Sequence, residues 1–138
     1  MVDVIPYEPA HFTGVSELWA EVFPNDPPWN RAEVAIPEKL AVQPELFLVA
    51  VDDGRVIGTA MAGYDGHRGW LYTIAVKPGR QRKGVGSALV ADAEARLVAL
   101  GCGKINLQIR AGNEAVAAFY RRLGYQVEER ISMGKRTG

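Results

Sequence analysis

The residues best suited to chemistry form one run, Gly79-Arg80-Gln81-Arg82-Lys83-Gly84-Val85-Gly86-Ser87. An apolar strand pattern (Leu71, Ile74, Val76) precedes it, and a helical pattern (Leu89, Val90, Ala93, Leu97) comes after it. A turn that leads from a strand into a helix is suited to an anion. The N–H groups of the first helical turn have no partner within the helix, and the helix dipole adds partial positive charge there. Gly84 and Gly86 carry no Cβ, so a ligand can come close to the main chain. Lys77, Arg80, Arg82 and Lys83 cluster around the same turn, which fits a small polyanion better than a polymer. A Walker A loop is excluded, because Val85 follows Gly84 where Lys and then Ser or Thr are required. A dinucleotide fingerprint is weak, because Leu89 stands where its third glycine belongs. What remains is Gln81-x-x-Gly84-x-Gly86, preceded by Val76-x-Pro78. An ordinary strand-to-helix turn with surface arginines is the plainer alternative.

A second constellation is Asn113-x-x-Val116-Ala117-x-Phe119-Tyr120-x-x-x-Gly124-Tyr125. Seven residues at ~100° each return Asn113 and Tyr120 to nearly one helix face, ~10 Å apart along the axis. A helix cap at Asn113 and a core aromatic at Tyr120 would satisfy the same spacing. His11, His67 and Cys102 have no metal-ligand spacing, so no metal site is expected. Cys102 has no neighbouring His or acid in sequence and reads as inert packing.

The elements that must position these residues emerge from periodicity. Val2 to Ile5 reads as a strand. Phe12, Val15, Leu18, Trp19 and Val22 form a helical stripe between Pro9 and Phe23. Pro24 to Pro28 is a loop, and Asn30 can cap a second helix from Arg31 to Val42 that Pro37 must kink or divide. Leu46 to Val51, Val56 to Tyr64 and Trp70 to Lys77 form a meander whose first turn is Asp52-Asp53-Gly54-Arg55. A helix from Lys83 to Leu100 stops at Gly101. Lys104 to Arg110 is a strand, Asn113 to Leu123 a helix, and Tyr125 to Met133 a closing strand or hairpin. The strand–helix–strand step from Trp70 to Arg110 requires a right-handed parallel crossover. The expected fold is α/β (α+β): a mixed, mostly antiparallel sheet with helices on both faces, in the order β-α-α-β-β-β-α-β-α-β.

The chain has 138 residues, enough for one domain spanning 1–138 with a real core. Its 16 basic and 16 acidic residues cancel, which gives no general electrostatic case for nucleic acid or a membrane surface. One cysteine excludes an internal disulfide and fits a reducing, cytoplasmic setting. The first residues carry Asp3 and Glu8 and no apolar run, so no signal peptide is expected. No stretch approaches the ~18 apolar residues of a membrane span.

The glycine-rich turn, the Asn113–Tyr125 run and the element order together resemble the GNAT N-acetyltransferase superfamily, over nearly the whole chain. The resemblance implies acetyl-CoA as co-substrate. By it, Ile74, Ala75 and Val76 offer backbone groups to the pantetheine arm, in a gap where two strands splay apart. Arg82, Lys83, Gly84, Val85, Gly86 and Ser87 hold the pyrophosphate. Asn113 contacts the cofactor, and Tyr120 gives a proton to the departing thiolate; a phenol with a pKa near ~10 can do so as charge builds. Val116 stands where family members often have Ala. An oxyanion on the thioester carbonyl needs a fixed N–H donor, which a strand bulge near Ile74 or Ala75 can supply.

An alkylammonium has a pKa near ~10.4, so a base or a desolvated site must help the acceptor. The candidates for a base are Asp65, His67, Tyr72 and Gln108 with a bound water. Ribosomal-protein alanine acetyltransferases of this superfamily carry a Glu base on the matching strand; here it reads Leu107-Gln108-Ile109-Arg110, and Gln108 cannot take a proton. The chain also resembles a smaller group, the stand-alone bacterial acetyltransferases of the YpeA type. The shared features are Pro28-Trp29-Asn30, Leu46 to Ala50, Gly63-Tyr64-Asp65-Gly66-His67-Arg68-Gly69, Gly101-Cys102 and Gly134-Lys135-Arg136. The residues expected to face the acceptor are Trp29, Tyr64, Asp65, His67 and Tyr72. The function expected is acetyl transfer from acetyl-CoA to a primary amine, of a small molecule or a peptide, by direct attack in a ternary complex. The alternative is a non-catalytic acyl-CoA-binding or regulatory module. An exposed closing strand leaves room for a homodimer by edge pairing.

Overall fold

Apolar runs too long to alternate dictate the centre of the sheet. Phe47, Leu48, Val49 and Ala50 are all fully buried, as expected of a strand covered on both faces. The computed structural model describes residues 1–138 and orders five strands as β1 (Val2–Pro6), β2 (Phe47–Asp52), β3 (Arg55–Tyr64), β4 (Gly69–Val76) and β5 (Ile105–Leu107). The helices are α1 (Phe12–Val22), α2 (Ala32–Leu40), α3 (Val85–Ala99) and α4 (Glu114–Arg122). The chain divides into two units, Met1–Gln108 and Ile109–Gly138.

Within the first unit, β1 to β4 pair antiparallel in sequence order, and β5 pairs parallel with β4. The β2–β3 turn has two central residues, Asp53 (φ 51°) and Gly54 (φ 75°), both left-handed, as a two-residue hairpin requires. On one face α1 and α2 bury Val15, Leu18, Trp19, Ala32 and Ile36 against Phe47, Val49, Met61 and Ala75. Burying a side chain such as Phe47 contributes about 1.5–3 kcal/mol. On the other face α3 packs closely, and glycine is what admits it. A Cβ on Gly58 would lie 2.9 Å from Leu89 Cδ1 and 3.1 Å from Ala75 O. The mixed sheet with helices on both faces is therefore the expected one.

Four boundaries differ from the sequence expectation. The first helix begins as a 3-10 turn at Pro9–His11, before α1. Pro37 neither divides α2 nor ends it; the nine-residue helix runs through this exposed position, and Arg31, not Asn30, is its N-cap. β5 is three residues long rather than seven. The closing strand is not formed: after α4 the chain has no regular structure, and Val127, Ile131 and Met133 are exposed. Val127, Ile131 and Met133 share the parity of one strand face, but Glu129 interrupts that face and leaves no continuous apolar stripe to bury. The edge expected to support a homodimer is accordingly not present.

The second unit holds α4 and the irregular C-terminal segment. Asn113 caps α4, its Oδ1 accepting from Val116 N at 3.3 Å, and Gly124 (φ 98°) ends it in the left-handed conformation.

Candidate functional site

β4 carries an interruption that periodicity cannot reveal. Thr59 faces Ala75 and Met61 faces Tyr72, so Thr73 and Ile74 both stand opposite one residue of β3. Thr73 holds a left-handed φ of 52°, an unfavourable conformation for a β-branched residue. A buried relay holds it there. Trp19 Nε1 donates to Thr59 Oγ1 at 2.9 Å, and the Thr59 hydroxyl donates to the Thr73 carbonyl at 3.2 Å. The expected bulge near Ile74 or Ala75 thus exists, one residue earlier than expected at its start. Pairing with β5 also stops at Leu71, although β4 continues to Val76. Ile74, Ala75 and Val76 therefore have β3 on one side and no strand on the other.

The strand then enters the turn. Gly79 (φ 90°), Arg82 (φ 64°) and Gly84 (φ 84°) are all left-handed, and Gly84 is the N-cap of α3. Gln81 Nε2 donates to Val76 O at 3.3 Å, tying the turn to the strand end. The four cations of the cluster do different things. Arg80 pairs with Asp52 at 2.7 Å and Lys77 with Glu21 at 3.3 Å. Arg82 and Lys83 are exposed and make no ion pair, so their charge remains available at the start of the helix. Val85 is buried, Gly86 and Ser87 half-buried.

A cavity of about 620 Å³ opens on the same unit. Four aromatic residues line it, Trp29, Tyr64, Trp70 and Tyr72, together with Glu38, Lys39, Gln43, Asp65 and the bulge residue Thr73. The structure thus brings together Trp29, Tyr64, Asp65 and Tyr72 from the predicted acceptor set. His67 does not line the cavity; it sits exposed in the β3–β4 turn, where its N–H donates to Asp65 Oδ1 at 2.8 Å. Asp65 Oδ1 also accepts from Arg68 N at 2.7 Å. The Arg68 and His67 amides hold the Asp65 carboxyl below its ordinary range, which makes it a weak proton acceptor. Burial pushes the Tyr72 phenol up, so it stays protonated near neutrality. Neither residue is tuned as a base.

Sequence reasoning missed Lys39, on α2, and Gln43, just beyond its end. Beyond the Phe47–Met61 pair, β3 overhangs β2, and side chains take the place of a strand. Lys39 Nζ donates to Ala62 O, Gln43 Nε2 donates to Tyr64 O at 3.0 Å, and Tyr64 N donates to Gln43 Oε1 at 2.9 Å. A signal existed for Lys39. Ala32, Ile36 and Lys39 share helical spacing, which puts a lysine on the apolar face.

In the second unit, Tyr120 is buried and meets Phe119 and Tyr125 edge-on, with ring centroids 4.9 and 5.6 Å away. Burial pushes its phenol up to about 12. It is therefore a hydroxyl that keeps its proton at neutral pH and can serve as a donor but not as a resting base.

Comparison with known proteins identifies the class. The Acetyltransferase (GNAT) family matches residues 12–125. A Yersinia pestis protein named an acetyltransferase is 44% identical over 109 residues, 79% of this chain and 77% of its own. The PaiA N-acetyltransferase of Thermoplasma acidophilum, solved in complex with coenzyme A, superposes with a TM-score of 0.83 at 20% identity, over 95% of this chain and 93% of that one. The aminoglycoside N-acetyltransferase AAC(6')-Iy, solved with a bisubstrate analogue, gives a TM-score of 0.82 at 20% identity over 100% and 99%. The chain belongs to the acetyltransferase (GNAT) family.

Proposed function

We propose that this acetyltransferase takes its acetyl group from acetyl-CoA and passes it to a primary amine bound in the aromatic cavity, by direct attack in a ternary complex. The carrying observation is the conformation of one continuous segment. β4 loses its β5 partner at Leu71, bulges at Thr73–Ile74 and runs into a left-handed turn with two unspent cations. A free strand edge suits an amide-bearing arm, and the Arg82–Ser87 amides and cations suit a pyrophosphate. The PaiA and AAC(6')-Iy structures, which hold coenzyme A or its analogue, support the choice of ligand.

In this reading the amine nitrogen bonds to the thioester carbon and the carbon–sulfur bond breaks. The transient oxyanion takes an N–H from the bulge, the thiolate takes the Tyr120 proton, and the proton that the nitrogen sheds on becoming an amide returns the phenol to its neutral form. Asn113, already the cap of α4, contacts the cofactor. Since neither Asp65 nor Tyr72 is tuned as a base, the aromatic wall favours the neutral amine by desolvation. The family match spans residues 12–125, parts of both units, and this supports reading residues 1–138 as one domain. Titration calorimetry with coenzyme A tests the reading; no heat of binding would sink it. Binding without turnover on any amine would leave only the non-catalytic module.

A further inference from the structure

Lys39 is only 5% exposed, yet it lines the cavity. Its Nζ donates to Ala62 O and lies 5.7 Å from the centroid of the Tyr72 ring. No carboxylate stands within ion-pairing distance of it. Burial pulls its ammonium below the ordinary lysine value, and the more distant Glu45 pushes back less strongly. A buried charge without a counter-ion is costly, and a bound anion at the same wall would relieve that cost. An ammonium offers three donors, and the carbonyl of Ala62 takes one.

The rest of the cavity limits what that anion can belong to. Trp29, Tyr64, Trp70 and Tyr72 give it an apolar, stacking surface. Glu38 and Asp65 also line it, and they disfavour a molecule that is anionic throughout while favouring an ammonium. The volume of about 620 Å³ admits a compact molecule with a ring.

We infer that Lys39 is the carboxylate-recognising residue of the cavity, and that the acceptor is a zwitterionic amine of the amino-acid type with an apolar or aromatic body. This rests on the cavity being the acceptor site. The carboxylate pairs with Lys39 Nζ, the body stacks on the aromatic wall, and the amine is left for the thioester.

The test is binding of phenylalanine, phenylalaninamide and 2-phenylethylamine to the full chain, followed by calorimetry. The last two lack the carboxylate and keep the amine and ring. The wild type is expected to bind phenylalanine about tenfold more tightly than either, the worth of one charge-assisted hydrogen bond. Lys39→Met, close in length and apolar, is expected to erase the preference while leaving coenzyme A binding unchanged. Equal binding of all three, no binding by any of them, or a preference that survives Lys39→Met would overturn the inference. The wild-type comparison stands alone if the variant does not fold. Coenzyme A binding without a carboxylate preference sinks this inference only. A carboxylate preference without coenzyme A binding sinks the acetyl-CoA reading instead.

Discussion

The Thr59 hydroxyl donates to the carbonyl of Thr73 at 3.2 Å while accepting from Trp19 Nε1 at 2.9 Å. A fully buried side chain on β3 thereby fixes the left-handed residue of the β4 bulge. Thr59→Val is expected to leave the Trp19 N–H without an acceptor and to cost about 1–3 kcal/mol in denaturant unfolding. It should also lower kcat, with coenzyme A affinity measured by calorimetry nearly unchanged. Thr59→Ser keeps the hydroxyl and should restore most of kcat. A kcat loss that Ser does not rescue would refute the relay.

Gly84 occupies the left-handed N-cap of α3, and nothing lies within 4 Å of where its Cβ would be. Gly84→Ala therefore acts through the backbone rather than by a clash. The expected cost is about 1 kcal/mol of stability. Coenzyme A affinity should fall at least several-fold, read by calorimetry; unchanged affinity would place the pyrophosphate elsewhere.

Tyr120→Phe keeps the ring packing against Phe119 and Tyr125 and removes the proton. Loss of a positioned proton donor costs roughly 10²-fold or more in kcat. The same variant has a signature in stability. The native phenol titrates near 12 against 10.0 for a free one, so its stabilising share is complete below pH 10.0 and is lost as pH rises toward 12. Alkaline unfolding curves of the variant should be flatter over that window than those of the wild type.

Acid acts with the opposite sign. The hydrogen bond from Arg80 holds the Asp52 carboxyl below its ordinary value of 3.8. Its contribution is present above that value and is lost as pH falls through the lower native one. Asp52→Asn should therefore lower stability at neutral pH and flatten the acid limb, measured by circular dichroism. A steep acid limb that survives the substitution would assign it to other carboxyls.

Legible in the sequence was whatever repeats or caps locally. The hairpin at Asp53-Gly54, the α1 stripe and the turn into α3 are all written in neighbouring residues. Of the five residues expected on the acceptor side, Trp29, Tyr64, Asp65 and Tyr72 line one cavity and His67 does not, a grouping that the resemblance suggested and local pattern alone did not. The bulge is not local: its register belongs to the pairing of β3 with β4 and its lock to a hydroxyl 14 positions away. Lys39 was legible only as an oddity on an apolar face, because its purpose depends on where β3 outruns β2. The closing strand failed because β propensity needs a sheet to join, and the five-stranded sheet holds no strand from beyond Gly124.

The clasp of Gln43 on Tyr64 has a consequence for how kinetics on this enzyme should be interpreted. Both halves of that clasp are amide contacts, and an amide neither gains nor loses a proton between acid and alkaline limits. The Tyr64 end of the β3 overhang is thus fastened by something blind to acidity, whereas the Lys39 bond to Ala62 O beside it carries a titrating ammonium. A rate profile against pH will then report on the reacting groups and on Lys39, with no contribution from the Gln43 clasp.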